Sequence, residues 1–387
     1  MLTKKSKIIK LAKLLFDARF FFKNPNSADI IVFDKKGSEI FKKIFFKKKI
    51  KFYFLANRLE DIKKIYLSKK IIIFIIKNIF NYSLKICYLG GVISTIKPKV
   101  MITRIDTSRD FHTLSKIFFK KVKCISLQQG DRTPTSPGGT DIISDTSYQD
   151  LKKTFIPEFY IFSEYDKEIF KSAKANIKNF EITGSINASL AKKSFEKKNL
   201  NFTKPEYDFC LISDPHHRSL CGMIFKYLHK LCIDENLSYV IAGDTGVNKS
   251  YELDYYESFI GSRKINIIKN DSKSYSSYLL GFKSNVIIGH RSTMLREFIG
   301  FRKKVISVNG LLENIGSINI FTYKKKQNSV EWKAKDKSYE NFSVHLLKVL
   351  RMPIRKYFDI FKNYNYFMHQ DKNIIDIVRK KICVFLK

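Results

Sequence analysis

Short apolar runs of strand length recur along this chain, each followed by a turn and by enough residues for a helix. "DIIVFD" (29–34), "IKFYFLA" (50–56), "KPKVMITRID" (97–106) and "VKCISLQQG" (122–130) form one series. "EYDFCLISDP" (206–215), "LSYVIAGDT" (237–245), "KINIIKND" (264–271), "SNVIIGH" (284–290) and "KKVISVNG" (303–310) form a second. Strands joined by helix-length connections call for parallel sheets with helices on both faces. At 387 residues the chain exceeds what a single core comfortably fills, so two α/β lobes with a cleft between them are expected.

The boundaries follow from the same pattern. Residues 28–195 make the first lobe and 206–335 the second, with the Lys-rich, Pro-containing stretch near 192–206 as the linker. Residues 336–387 read as helices that cross back onto the first lobe. Residues 1–27 read as a basic amphipathic helix: Ile8, Leu11, Ala12, Leu15 and Phe22 share one face, and Lys10, Lys13 and Asp17 form a polar strip. Such a helix can lie in an anionic membrane interface or dock on its own domain.

Lys and Arg total 72 against 36 acidic residues, a surplus of +36 that usually points to a polyanionic partner. No helix-turn-helix, zinc finger or aromatic RNA-binding strand accompanies it, so nucleic acid is not the expected partner. The six cysteines are scattered without a C-x-x-C pair, which argues for free thiols rather than zinc or disulfides. No signal peptide fits the start, and the most apolar run, "KKIIIFIIKNIF" (69–80), is too short to span a bilayer. A cytoplasmic protein, peripheral on the inner face of the membrane, is the expectation.

In parallel α/β sheets ligands gather at the carboxyl ends of strands, and the polar clusters of this sequence sit there. "GHRST" (289–293) ends one strand and begins the helix "TMLREFIGF". A helix N-terminus offers unpaired amides and the positive end of the macrodipole, so Gly289, Arg291, Ser292 and Thr293 form a candidate phosphate seat. Ser292 could equally be a plain N-cap. Glu297, one turn further on, could accept hydrogen bonds from ribose hydroxyls. "SDPHHRS" (213–219) brings Arg218 to neutralise a diphosphate, and His216 or His217 to donate a proton. In the first lobe Asp106 and Asp131 are the candidate general bases, since Gln129 cannot serve as one. Gly37 and Ser38, with Gln129, Gly130 and Arg132, form a candidate acceptor wall. No D-x-D, His-rich cluster, Walker or G-x-G-x-x-G element is present, so neither a metal nor another cofactor is expected.

"SNVIIGHRSTMLREFIGFRKKVISVNG" (284–310) resembles the donor-site segment of GT-B glycosyltransferases. With "DIIVFDKKGSEIF" (29–41), "KPKVMITRIDTSRDFHTLSK" (97–116) and "KCISLQQGDRT" (123–133), it resembles bacterial surface carbohydrate (O-antigen type) biosynthesis proteins across residues 28–310. The resemblance implies two Rossmann-like, GT-B-like lobes and metal-independent transfer of a sugar from a nucleotide-sugar to a lipid-linked or surface saccharide, in lipopolysaccharide, O-antigen or capsule assembly. It also implies donor phosphate at Ser292 and Thr293 and ribose at Glu297. Related teichoic-acid polymerases carry His-Gly where this chain has Gln129-Gly130. A CDP-alcohol phosphotransferase, a nucleotide-sugar epimerase and a non-catalytic scaffold of the assembly complex are the alternatives.

Overall fold

The computed structural model describes residues 17–35, 39–46, 48–58, 61–130, 154–200, 202, 204–214, 218–244, 248–261, 265–269, 271, 274–289, 292–309, 331–333, 338–360, 364–370 and 373–386. The first lobe runs through β1 (Arg19–Phe21), β2 (Ile30–Phe33), α1 (Glu39–Ile44), β3 (Phe52–Leu55), β4 (Lys64–Tyr66), α2 (Lys69–Asn78), α3 (Leu84–Ile96), β5 (Val100–Thr103), α4 (Arg109–Phe118) and β6 (Lys123–Leu127). It continues through β7 (Ile156–Ile161), α5 (Glu164–Ser172), β8 (Ile177–Ile182) and α6 (Ile186–Lys197). The second lobe holds β9 (Tyr207–Ile212), α7 (Arg218–Asp234), β10 (Tyr239–Ala242), α8 (Lys249–Ile260), β11 (Ile267–Ile268), α9 (Ser276–Phe282), β12 (Ser284–Gly289), α10 (Thr293–Gly300), β13 (Lys304–Asn309) and β14 (Glu331–Lys333). After these come α11 (Tyr339–Arg351), α12 (Ile354–Ile360), α13 (Tyr364–Phe367) and α14 (Ile374–Val384).

The central strands are apolar without alternation because helices cover both faces, and every residue of β2, β5 and β7 is buried. Serine starts many of the helices: Ser83, Ser108, Ser163, Ser185, Ser292 and Ser338 each accept a hydrogen bond from an amide of the first turn. Both six-stranded sheets are parallel throughout.

In the first sheet the order is β3-β2-β5-β6-β7-β8, and in the second β11-β10-β9-β12-β13-β14. Counted from β9, the second is the 3-2-1-4-5-6 arrangement of dinucleotide-binding folds. The direction of winding reverses between β2 and β5 in one sheet and between β9 and β12 in the other. At such reversals the helices leave on opposite faces, and a crevice opens beyond the strand ends.

The lobes are joined by packing as well as by chain. One hydrophobic cluster runs from Phe159 and Tyr165 of the first lobe into Phe209, Ile288 and Phe298 of the second. The C-terminal helices divide between them: the last crosses back onto the first lobe as expected, whereas α11 stays with the second. Phe342, Leu346 and Val349 of α11 enter the second-lobe core, whereas Ile374, Ile375, Val378 and Ile382 of α14 complete a first-lobe core with Val32 and Phe41. Lys381 of α14 also pairs with Glu181 at 2.5 Å.

Three expectations change. The helix drawn over residues 1–27 does not hold at its end: Arg19–Phe21 is a strand paired in parallel with Lys64–Tyr66, as suits three successive phenylalanines. Residues 1–16 of that segment lie outside the described residues. The linker starts later than 192, because α6 runs to Lys197. β4, β7, β8 and β14 add strands that the sequence reading did not count. Among the described residues no helix is long and apolar enough to cross a membrane.

Candidate active site

The second-lobe reversal lies between the end of β9 and the end of β12, where "SDPHHRS" and "GHRST" leave the sheet. Gly289 is buried there, and a Cβ on it would come 3.2 Å from both Ile212 Cβ and Leu295 Cδ2, so a larger residue would need these neighbours to give by a few tenths of an ångström. Ser292 Oγ accepts the Met294 amide at 3.3 Å, which makes it the cap of α10. The cap uses the oxygen as acceptor and leaves the hydroxyl proton able to donate. Ser292, Thr293 and Met294 are only half-buried, so the start of this helix is partly exposed among the described residues. Arg218 opens α7 on the other side of the reversal. Arg291, His216, His217 and the side chain of Arg218 lie outside what the structure describes.

Behind the β9 loop is a buried polar cluster that the sequence did not single out. Ser213 donates to Glu252 Oε1 at 2.6 Å, Tyr256 donates to Ser213 Oγ at 2.8 Å, and the Asp244 amide donates to Glu252 Oε1 at 2.8 Å. Glu252 has no exposed surface, and its Oε2 has no hydrogen-bond partner. Burial raises its pKa, opposed by the bonds from Ser213 and Asp244. The cluster ties the ends of β9 and β10 to α8.

Glu297 stands elsewhere than expected. It is 3% exposed; Oε1 accepts the Ser185 hydroxyl of the first lobe, and Oε2 accepts the Tyr278 hydroxyl at 2.7 Å. Burial raises its pKa, while those two bonds and the charges of Arg104 and Arg296 pull it back down. The carboxylate sits between the lobes with no open face, which differs from the ribose contact expected of it. Its neighbour Arg296, which the sequence reading passed over, is wholly buried and reaches Asp166 with Nη1 at 3.1 Å and Nη2 at 2.7 Å. Nη2 also donates to Ser163 Oγ at 3.1 Å, and the guanidinium lies 4.8 Å from the centre of the Tyr165 ring. One helix therefore offers its partly exposed start toward the β9–β12 reversal and seats its middle against the first lobe.

On the first lobe Asp106, expected as a base, has no exposed surface. Its Oδ1 accepts the Gln129 amide at 3.3 Å, and its carbonyl accepts Nε2–H of His112 at 2.8 Å. It binds the β5 loop to the β6 loop and presents no exposed surface to an acceptor, which differs from the role expected of it. Gln128 is similarly engaged, donating to Asp166 Oδ1 at 2.7 Å and to the Gly130 carbonyl at 3.0 Å, while Oε1 accepts the Phe162 amide at 3.0 Å.

Arg104, Gln128, Gln129, Ser185 and Asn187 line a small pocket on this side, with room for about one water molecule. Gln129 is exposed and Gly130 half-buried, both just beyond the carboxyl end of β6. Burial lowers the pKa of Arg104, against the attraction of Tyr278, Glu297 and Tyr275 of the second lobe. Gly37, Ser38, Asp131 and Arg132 lie outside the described residues. Among the described residues no group of three or more His, Cys, Asp or Glu side chains is placed to hold a metal ion.

No family model matches the chain, and no curated protein matches it. Among solved structures it is similar to the UDP-GlcNAc 2-epimerase from Neisseria meningitidis bound to UDP-GlcNAc, at 13% identity over 92% of this chain and 99% of that one, with a TM-score of 0.54. It is similar to the wall teichoic acid polymerase TagF, at 11% identity over 100% of this chain and 98% of that one, TM-score 0.54. MnaA of S. aureus in its UDP co-structure gives 13% identity over 92% and 96%, TM-score 0.55. Likeness at these identities establishes the fold: two Rossmann-like lobes in the GT-B-like arrangement.

Proposed function

We propose that the protein is a glycosyltransferase that moves a sugar from a nucleotide-sugar held on the second lobe to a lipid-linked or surface saccharide held against the first. Lipopolysaccharide, O-antigen or capsule assembly in the cytoplasm, at the inner face of the membrane, is the setting that the sequence resemblance suggests. The observation that carries the reading is the partly exposed first turn of α10 beside the β9–β12 reversal, where the Ser292 cap and Thr293 are half-exposed. Structures similar to this one were determined with UDP-GlcNAc and UDP, which supports a nucleotide as the occupant.

The chemistry asked of the site is modest. The hydroxyls of Ser292 and Thr293 and the helix start receive the donor phosphate, and Arg218 and Arg291 meet the negative charge that grows as the diphosphate leaves. The acceptor hydroxyl attacks the anomeric carbon, the bond to the diphosphate oxygen breaks, and the acceptor's proton passes to a base. Asp131 and His217, on loops that leave the ends of β6 and β9, are the proposed proton carriers. No metal ion is invoked, because the arginines and the helix end supply the charge. Arg104 and Gln129, with Gly130 next in the chain, form the proposed acceptor wall, to which the sequence reading adds Gly37, Ser38 and Arg132.

The same seat would serve sugar-nucleotide epimerisation, and one similar structure is a UDP-GlcNAc 2-epimerase. A panel of UDP-, GDP-, CMP- and dTDP-sugars, first for binding and then for product, separates the readings. Binding of one nucleotide class and sugar transferred to a saccharide acceptor is the expected result. A free epimerised nucleotide sugar or a phosphodiester product would replace transfer with epimerisation or CDP-alcohol phosphotransfer. Absence of binding by every donor would leave a scaffold.

A further inference from the structure

Helix α2, "KKIIIFIIKN", is apolar on both sides, and the structure covers only one of them. Its inner side packs closely on α3: Ile71 is fully buried, and a Cβ on Gly90 would meet the Phe74 ring at 2.6 Å while one on Gly91 would meet Ile71 Cγ2 at 3.0 Å. Phe74 and Ile75 complete that contact. Its outer side carries Ile72, Ile73 and Ile76, and the turn beyond it Ile79 and Phe80; these recur at helical spacing and are 42, 41, 64, 44 and 94% exposed. The start of the helix adjoins the end of β1, where the Leu67 amide bonds the Phe21 carbonyl at 2.8 Å and Phe22 is 80% exposed.

A helix apolar all round belongs in a protein core or in lipid, and six large apolar side chains in water form a patch beyond those scattered singly on most surfaces. The charge around it narrows the choice of cover. Residues 61–85 carry six lysines against one acidic residue, and Lys69, Lys70 and Lys77 are exposed on the helix itself. Two copies of this face brought together would set lysines against lysines. An anionic lipid surface complements both features, since the isoleucines and phenylalanines enter the acyl boundary while the lysine stems extend to the headgroups.

We infer that the outer face of α2, with Phe80 and Phe22, is a docking surface for an anionic membrane. It rests on the composition and exposure of this face and is separate from the sugar-transfer reading and from the basic segment at residues 1–16.

The test uses the full chain, with that segment intact, in co-sedimentation with vesicles of phosphatidylcholine alone and with phosphatidylglycerol added. The protein binds the anionic vesicles, less tightly as salt rises. Ile76→Asp with Phe80→Asp weakens binding roughly ten-fold or more, and Lys70→Glu with Lys77→Glu weakens it and flattens the salt dependence. These side chains are exposed, so melting temperature and nucleotide binding stay unchanged in both variants. Undiminished vesicle binding by the Asp variant overturns the inference, whichever other segment then holds the lipid. So does a dimer in light scattering that the Asp variant converts to monomer with vesicle binding unchanged, because the face would then be covered by a second copy.

Discussion

Arg296 of the second lobe and Asp166 of the first form a two-pronged ion pair, at 3.1 and 2.7 Å, with no exposed surface on either residue. The pair fixes α10 against the other lobe from its middle, and the proposed donor seat at its start inherits that position. Replacing Arg296 by Met leaves the Asp166 carboxylate buried without its cation, and the expected loss is about 3–5 kcal/mol in urea denaturation. Adding Asp166→Leu removes the stranded charge and restores most of it. A single-variant loss below about 1 kcal/mol would show that the pair is not holding the lobes.

Glu297 is expected to matter for the join rather than for the ligand. Glu297→Gln weakens the bonds from Ser185 and Tyr278 and lowers stability by about 1–3 kcal/mol, with nucleotide affinity following only through that loss. A large fall in affinity at unchanged melting temperature would return Glu297 to the ribose.

Gly289→Val adds atoms where Ile212 and Leu295 already stand 3.2 Å from an added Cβ. Overpacking of this kind costs about 1–3 kcal/mol. It also displaces the start of α10, so nucleotide binding drops more than stability alone accounts for. Titration at a temperature where the variant is folded makes the comparison.

Lys303 gives a pH signature. Its amine donates to the Phe282 carbonyl at 3.0 Å, and burial lowers its pKa from 10.5 to about 8. The unfolded chain keeps the proton up to the higher value while the fold releases it at the lower one. Stability from burying the neutral amine is thus present above 10.5 and lost as pH falls through about 8. Lys303→Met is expected to be more stable than the native protein below pH 8, by about 1 kcal/mol allowing for partial exposure, and to lose that advantage as pH rises toward 10.5. An advantage that stays constant with pH would contradict the buried-amine account.

Much of the fold was readable because parallel strands covered on both faces are apolar without alternation, as in "IIVF" and "VMIT". β7, "IPEFYI", escaped because Pro157 and Glu158 interrupt the pattern; Glu158 is held by Lys123 and by Asn179 at 2.9 Å, partners far off in sequence. The strand–helix junction at Ser292 was legible, since a serine just before a helical run is a common N-cap. The roles of Arg296 and Glu297 were not, because each is set by residues of the other lobe. A signal was present: both charges sit in a helix whose other members, Leu295, Phe298 and Ile299, are apolar on every side, so both had to be buried and paired. Asp106 was placed correctly at a strand end, but exposure there depends on whether a neighbouring loop claims the carboxylate, as the Gln129 amide does.

The central claim is that the first turn of α10 seats the phosphate of a nucleotide-sugar. Calorimetric titration of the nucleotide class selected from the donor panel, into the native chain and into Ser292→Ala with Thr293→Ala, tests it most directly. Loss of both hydroxyls, with the fold kept, is expected to weaken binding by about 1–3 kcal/mol, roughly five-fold to a hundred-fold. An affinity equal to that of the native protein would contradict the claim.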